Sequence, residues 1–236
     1  MAIAMLARMT KIDRLSGLRM RNTVRFVAHL VKEQRAMARA ARRMPKPVPW
    51  EWAKPRLLPL LSGPAIDPPG LPTMRTAAGP GCAVEFGLDL SGVFPVVDAL
   101  VAERWECDAA QLLEVSLANL RQRTSRLSPA NLSAGALSGR MTRVFRQPGW
   151  AASLVLLEDE LVRLFGAHDQ FIAVPGRSLL MSFPIEMPLR IVADTVVDFE
   201  AREVTPLLYE PFLITNGRLS WQPPDEDLPE GDDIVL

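Results

Sequence analysis

The sequence has few of the residues that build disulfide frameworks and metal sites. It contains two cysteines, Cys82 and Cys107, and two histidines, His29 and His168. The cysteines form no CxxC pair, so we do not expect a secreted disulfide framework, and a reducing compartment is the default. The histidines form no HxxxH or HExxH pattern, which gives a histidine metal site little support.

Long apolar runs and the common catalytic motifs are also missing. No stretch approaches the roughly 18 to 20 apolar residues that cross a bilayer, and the N-terminal region lacks the continuous apolar segment of a secretory signal. No GxSxG elbow, GxxxxGK[ST] loop or GxGxxG turn occurs. We therefore expect a cytoplasmic protein with no transmembrane segment, no cofactor and no catalytic residues that the sequence identifies.

Charge is distributed unevenly along the chain, although the formal net charge is zero. Residues 1–80 contain 15 Lys and Arg against 4 Asp and Glu, whereas the remaining residues contain 12 against 23. Such opposition suits an N-terminal arm that folds back on its own body. It equally suits an arm that reaches an anionic partner such as nucleic acid or a membrane surface, and composition does not choose between these.

Residues 1–44 are predicted to form a basic arm of one or two amphipathic helices, because apolar side chains recur at helical spacing between arginines. Within this arm we predict that Arg14, Arg21 and Arg25 contact a partner. An organellar transit peptide is an alternative, although Ser16 is the only serine before residue 62. A start of translation at a later methionine is another.

Residues 45–81 are rich in proline, which predicts a linker or a wrapping strap and not a regular helix. Trp50 and Trp52 lie inside this segment and flank Glu51. Aromatic residues in an extended segment either anchor it in a partner's groove or pack on the parent domain. We predict that the two tryptophans join the arm in binding a partner, with packing on the domain as the alternative.

Residues 82–222 carry the patterns of an α+β domain. Alternation over residues 83–90 predicts a strand, and Asp108 with Gln111 makes a capping box for a helix over residues 109–123. A strand, a helix, a β-hairpin, a short helix and a second hairpin at Asn216-Gly217 are predicted over residues 141–145, 154–164, 171–183, 191–199 and 208–221. We expect an antiparallel sheet with helices packed on one side, followed by an acidic tail over residues 223–236.

Four segments of this body occur in an order that carries a family resemblance. They are Ser116-Leu117-Ala118-Asn119-Leu120-Arg121, Gly149-Trp150-Ala151-Ala152-Ser153, Ile172-Ala173-Val174-Pro175-Gly176-Arg177 and the hairpin from Thr205 to Leu219. Together they resemble the YtpQ-like domain of unknown function, a widespread uncharacterised bacterial family, over about residues 82–222. The resemblance implies a bacterial cytoplasmic protein but no reaction. The basic, proline-rich arm replaces the family's larger N-terminal region, so no role of that region is carried over.

Asn119, Arg121 and Arg177 are the best candidate ligand-binding residues, because an amide and guanidinium groups can orient or clamp a carboxylate or phosphate. Each also has a structural interpretation: a buried backbone partner for Asn119, a solvated helix position for Arg121 and an exposed hairpin turn for Arg177. Glu85 and Asp89 share one face of a strand at i and i+4, which makes a paired-carboxylate site geometrically conceivable. An outward polar face explains them equally well.

These observations favour a non-catalytic binding or adaptor protein whose basic arm engages a partner protein. The alternative is a small-ligand-binding protein or an enzyme with a polar site near Asn119, Arg121 and Arg177. A further alternative is nucleic-acid association through the arm, which should weaken steeply as salt rises because counterions are released from phosphates.

Overall fold

The chain divides into two units in a computed structural model. The structure describes residues 35–63, 73–79, 82–137, 139–203, 206–207 and 212–220. The units are Met1–Arg43 and Met44–Leu236. In the first unit, residues 35–43 form a helix, α1. The predicted arm residues Arg14, Arg21 and Arg25 and the predicted acidic tail lie outside the described residues.

The second unit combines short helices with antiparallel sheets. Its described α-helices are α2 (Trp50–Ala53), α3 (Ala99–Arg104), α4 (Ala109–Thr124), α5 (Glu158–Phe165) and α6 (Leu189–Glu200). Turns of 3₁₀ helix occupy Lys54–Arg56, Pro129–Asn131 and Ala151–Leu156. The described strands are β1 (Leu57–Ser62), β2 (Arg75–Gly79), β3 (Cys82–Leu88), β4 (Ser133–Leu137), β5 (Arg140–Arg146), β6 (Gln170–Gly176), β7 (Leu179–Pro184), β8 (Phe212–Thr215) and β9 (Arg218–Ser220).

The strands form a sheet of order β1-β3-β2 and a sheet of order β4-β5-β7-β6-β8-β9. Every strand pair in both sheets is antiparallel. The predicted α+β class with antiparallel pairing is therefore confirmed.

Local sequence signals account for the best-defined helix start and hairpin. At the start of α4, the Asp108 side chain accepts a hydrogen bond from the Gln111 amide, and the Gln111 side chain accepts one from the Asp108 amide. Between β8 and β9, Asn216 and Gly217 have φ angles of 51° and 72°. A two-residue hairpin turn requires this left-handed backbone, which Asn and Gly adopt most easily. The predicted helix and the Asn-Gly hairpin turn are both confirmed.

The proline-rich segment 45–81 contributes two strands to the first sheet. β1 and β2 both lie in this segment and pair with opposite sides of β3. All six residues of β1 are buried. Pro59 is compatible with this position because β1 is an edge strand, where a missing amide hydrogen is tolerated. The predicted boundary at residue 82 therefore falls inside a three-stranded sheet.

The larger sheet is covered on both faces because β6 and β7 are apolar on both. Ile172 and Leu180 lie in a core shared with α5 and with the Ala151–Leu156 turn. Phe171 and Met181, from alternate positions of the same strands, lie in a second core that is shared with α6. The helices are thus divided between the two faces of this sheet.

Candidate functional site

Asn119, on α4, is engaged by the backbone of a neighbouring element. Its Nδ2 atom donates hydrogen bonds to the carbonyl oxygens of Lys54, at 2.7 Å, and Leu57, at 2.9 Å. These carbonyls lie at the Lys54–Arg56 turn and at the first residue of β1. Both donors of the Asn119 amide are therefore used to tie α4 to the start of β1, which matches the structural interpretation of this residue.

Replacing Asn119 with alanine is expected to lower the free energy of unfolding by about 1–2 kcal/mol, because two carbonyls lose their donors. The midpoint of urea denaturation measures this effect. Gln122→Ala is the matched control, since Gln122 is exposed on the same helix and its loss should change stability by less than about 0.5 kcal/mol. An unchanged midpoint in Asn119→Ala would argue against the tether.

Arg177 and Glu85 form the centre of a largely buried ionic cluster with Arg75. Arg177 Nη2 lies 2.5 Å from Glu85 Oε2, and Arg75 Nη2 lies 2.9 Å from Glu85 Oε1. Arg177 Nε also donates to the Leu61 carbonyl at 3.0 Å. The Glu85 cluster, comprising Arg75, Glu85 and Arg177, therefore connects β2, β3 and the end of β1 to the turn between β6 and β7.

Glu85 and Asp89 do not form the paired-carboxylate site that the sequence made conceivable. Asp89 follows the end of β3 and contacts Arg123 Nη2 at 2.5 Å, and it also accepts a hydrogen bond from the Gly92 amide at 3.0 Å. The strand ends at Leu88, so Asp89 leaves the sheet face that carries Glu85. Glu85 is paired with two arginines and Asp89 with one, so each carboxylate joins elements of the fold.

Arg121 lies apart from the other two predicted ligand-binding residues. It follows Asn119 by two positions on α4, which places the two side chains about 200° apart around the helix. Arg121 is exposed and lines an open depression with Glu158, Asp159 and Arg218. The predicted polar site near Asn119, Arg121 and Arg177 is therefore not assembled, because the three side chains face different surroundings.

Trp50 and Trp52 pack against their own domain, with partial exposure. The Trp50 ring lies 5.5 Å from that of Trp105, and Trp105 Nε1 donates to the Val48 carbonyl at 2.8 Å. The Arg56 guanidinium lies 4.3 Å from the centre of the Trp52 ring. In the structure both tryptophans therefore pack on their own domain, which was the alternative to binding a partner.

The thiol of Cys107 has no sign of activation. Burial raises its pKa, and the neighbouring carboxylates of Asp108 and Glu106 raise it further, with Lys54 opposing them. A raised pKa keeps the sulfur in its protonated form, which is a poor nucleophile. Within the described ranges, no group of three or more His, Cys, Asp or Glu side chains is placed to hold a metal ion.

An arginine stripe on α1 is the feature that the sequence reasoning missed. Its members, Arg35, Arg39, Arg42 and Arg43, are all exposed. The last three arginines follow Arg35 by four, seven and eight residues. At 100° per residue, all four therefore lie within an arc of about 100° around the helix. None of the four forms an ion pair with another described residue. The spacing of these arginines in the sequence was the signal that could have identified the stripe.

No protein-family model, curated protein or solved structure matches this chain. The resemblance to the YtpQ-like family stays a prediction. In the described part of the chain, no helix combines the length and the apolar character that crossing a membrane requires.

Proposed function

We propose that this protein is a non-catalytic adaptor that binds an acidic partner protein through its basic N-terminal arm. The observation that carries the proposal is the exposed arginine stripe on α1. In the body, by contrast, Asn119 and Arg177 are occupied by backbone carbonyls and by Glu85. The arm therefore offers free cationic groups, whereas two of the three predicted ligand-binding residues of the body serve the fold.

The chemistry of the stripe favours an acidic surface as its target. Arginines one turn apart are separated by about 6 Å along a helix axis, so the stripe extends over about 12 Å. A guanidinium binds a carboxylate through two parallel hydrogen bonds, and arginine is enriched at protein interfaces for this reason. A partner helix with acidic side chains at the same spacing is complementary to this stripe.

A protein target is favoured over nucleic acid because the opposite face of α1 is apolar. That face carries Met37, Ala40 and Ala41, of which Met37 is 38% exposed and Ala40 is 8% exposed. Phosphate binding requires positive charge but gains nothing from an apolar stripe, whereas a protein groove accommodates both faces of an amphipathic helix. Cytoplasmic location and membership of the YtpQ-like bacterial family are part of the same proposal.

The test is affinity purification of the full chain from its native host after nuclease treatment. The variant replaces Arg35, Arg39, Arg42 and Arg43 with glutamate, which keeps high helix propensity. The matched control makes the same replacement with glutamate at four exposed arginines of the body, so the net charge changes by the same amount. These are Arg126, Arg140, Arg190 and Arg202. We expect a stoichiometric partner protein with the unmodified chain and the control, and its loss with the stripe variant.

Two results would overturn this proposal. If the bound material disappears with nuclease, and binding weakens steeply with salt, the arm binds nucleic acid. If the stripe variant and the body control retain the same partner, the stripe is not the binding surface.

A further inference from the structure

A shallow groove of about 380 Å³ lies between residues 45–48 and helix α3. Val101, Arg104 and Trp105 line it from the side of α3. Its apolar wall is fixed in place, because Trp105 is 8% exposed and donates from Nε1 to the Val48 carbonyl. Leu100 shares a helical face with Arg104 and is 58% exposed, so apolar surface continues beyond the groove.

The groove combines apolar surface with positive charge. Lys46 and Arg104 both line it and are both exposed. Among the described residues that line it, none is Asp or Glu. An occupant that suits this surface therefore carries carboxylates beside apolar side chains.

The C-terminal segment of this chain, residues 221–236, has that composition. It contains six acidic residues and no Lys or Arg. Asp232 and Asp233 are followed directly by Ile234-Val235-Leu236. The two adjacent carboxylates are complementary in charge to the two cations of the groove. The three branched apolar side chains are complementary to its apolar wall.

The length of the segment sets how much of the domain surface it can reach. It begins after Ser220, where β9 ends, and sixteen residues follow. The eleven residues 221–231 that precede Asp232 span about 36 Å when extended. A compact domain of about 190 residues has a diameter of about 40 Å, so this span is close to the width of the domain.

We propose that the groove binds the acidic C-terminal segment of the same chain, with Ile234-Val235-Leu236 against the apolar wall and Asp232 and Asp233 beside Lys46 and Arg104. The groove is then a peptide-binding site occupied by an internal segment. An acidic segment of another protein has to displace this segment before it can bind there. No residue of the arginine stripe lines the groove, and this proposal does not depend on the function proposed for the stripe.

A photo-activated cross-linker tests this arrangement in the full chain. A benzophenone amino acid is incorporated at Ile234, the protein is irradiated at low concentration, and adducts are mapped by mass spectrometry. We expect adducts within residues 45–48 or on Val101 and Trp105. Adducts confined to other surfaces, or the absence of adducts, would overturn the proposal.

Charge reversal separates specific docking from random contact. Lys46→Glu with Arg104→Glu is expected to lower the adduct yield about fivefold, whereas Arg126→Glu with Arg190→Glu leaves it unchanged. Adding Asp232→Lys and Asp233→Lys to the groove variant should restore the yield. Equal yields in the groove variant and in the control contradict the proposal.

Mixed labelling identifies which chain supplies the segment. ¹⁵N-labelled and unlabelled proteins are mixed before irradiation. Adducts within one chain support the proposal, and adducts that join a labelled to an unlabelled chain overturn it in favour of a second copy.

Discussion

A chain that begins at residue 81 is expected to be unfolded, whereas a chain that begins at residue 44 keeps a folded body. The first truncation removes β1 and β2, which flank β3 in the smaller sheet. Leu57, Leu58, Leu60 and Leu61 of β1 are each at most 1% exposed. Burial of one such side chain stabilises a protein by about 1.5–3 kcal/mol, or about 6–12 kcal/mol for four. Typical domains have only about 5–15 kcal/mol of net stability, so this loss is decisive.

Circular dichroism and urea denaturation distinguish the two truncations. The chain from residue 44 should unfold in one cooperative transition, close in midpoint to that of the full chain, because Met1–Arg43 is a separate unit. The chain from residue 81 should show no cooperative transition. A folded chain from residue 81 would mean that β1 and β2 are accessory to the domain.

Replacing Glu85 with alanine is expected to lower the free energy of unfolding by about 2–4 kcal/mol. The reason is that Arg75 and Arg177 would lose a shared carboxylate in surroundings that leave their side chains 16% and 20% exposed. Removing one member of a buried ion pair is costly because it leaves an uncompensated charge. Glu85→Gln keeps the shape and removes the charge, so its effect should fall between those of the wild-type residue and alanine.

A surface ion pair provides the comparison for Glu85. Glu160 contacts Arg163 at 2.6 Å on α5, where the arginine side chain is 41% exposed and the glutamate side chain is 17% exposed. Glu160→Ala should cost less than about 1 kcal/mol because water screens such a pair. Urea midpoints measured at one pH and salt concentration give both values. Equal effects of the two alanine substitutions would show that the Glu85 cluster contributes no more than a surface pair.

Local patterns predicted the elements whose determinants lie close together in the sequence. The capping box at Asp108 and Gln111 joins residues three positions apart, and the Asn216-Gly217 turn is defined by two adjacent residues. Both identify a backbone conformation from side-chain chemistry alone. The α+β class follows from the order of such elements.

The functions of the candidate polar residues could not be predicted in the same way, because their partners are distant in sequence. Arg177 and Glu85 are 92 positions apart, and Asn119 lies 62 positions from Leu57. The strand β1 was hidden for a different reason. Its run Leu-Leu-Pro-Leu-Leu has no alternation and stands among prolines, which favoured a linker.

The exposed arginine stripe on α1 is the proposed binding surface for an acidic protein. Isothermal titration of the purified partner against the full chain tests this most directly. Reversing Arg35, Arg39, Arg42 and Arg43 should weaken binding about 100-fold, which corresponds to about 0.7 kcal/mol for each arginine. The four-arginine body control should bind as the unmodified chain does. Equal dissociation constants for the stripe variant and the unmodified chain would show that the stripe does not bind the partner.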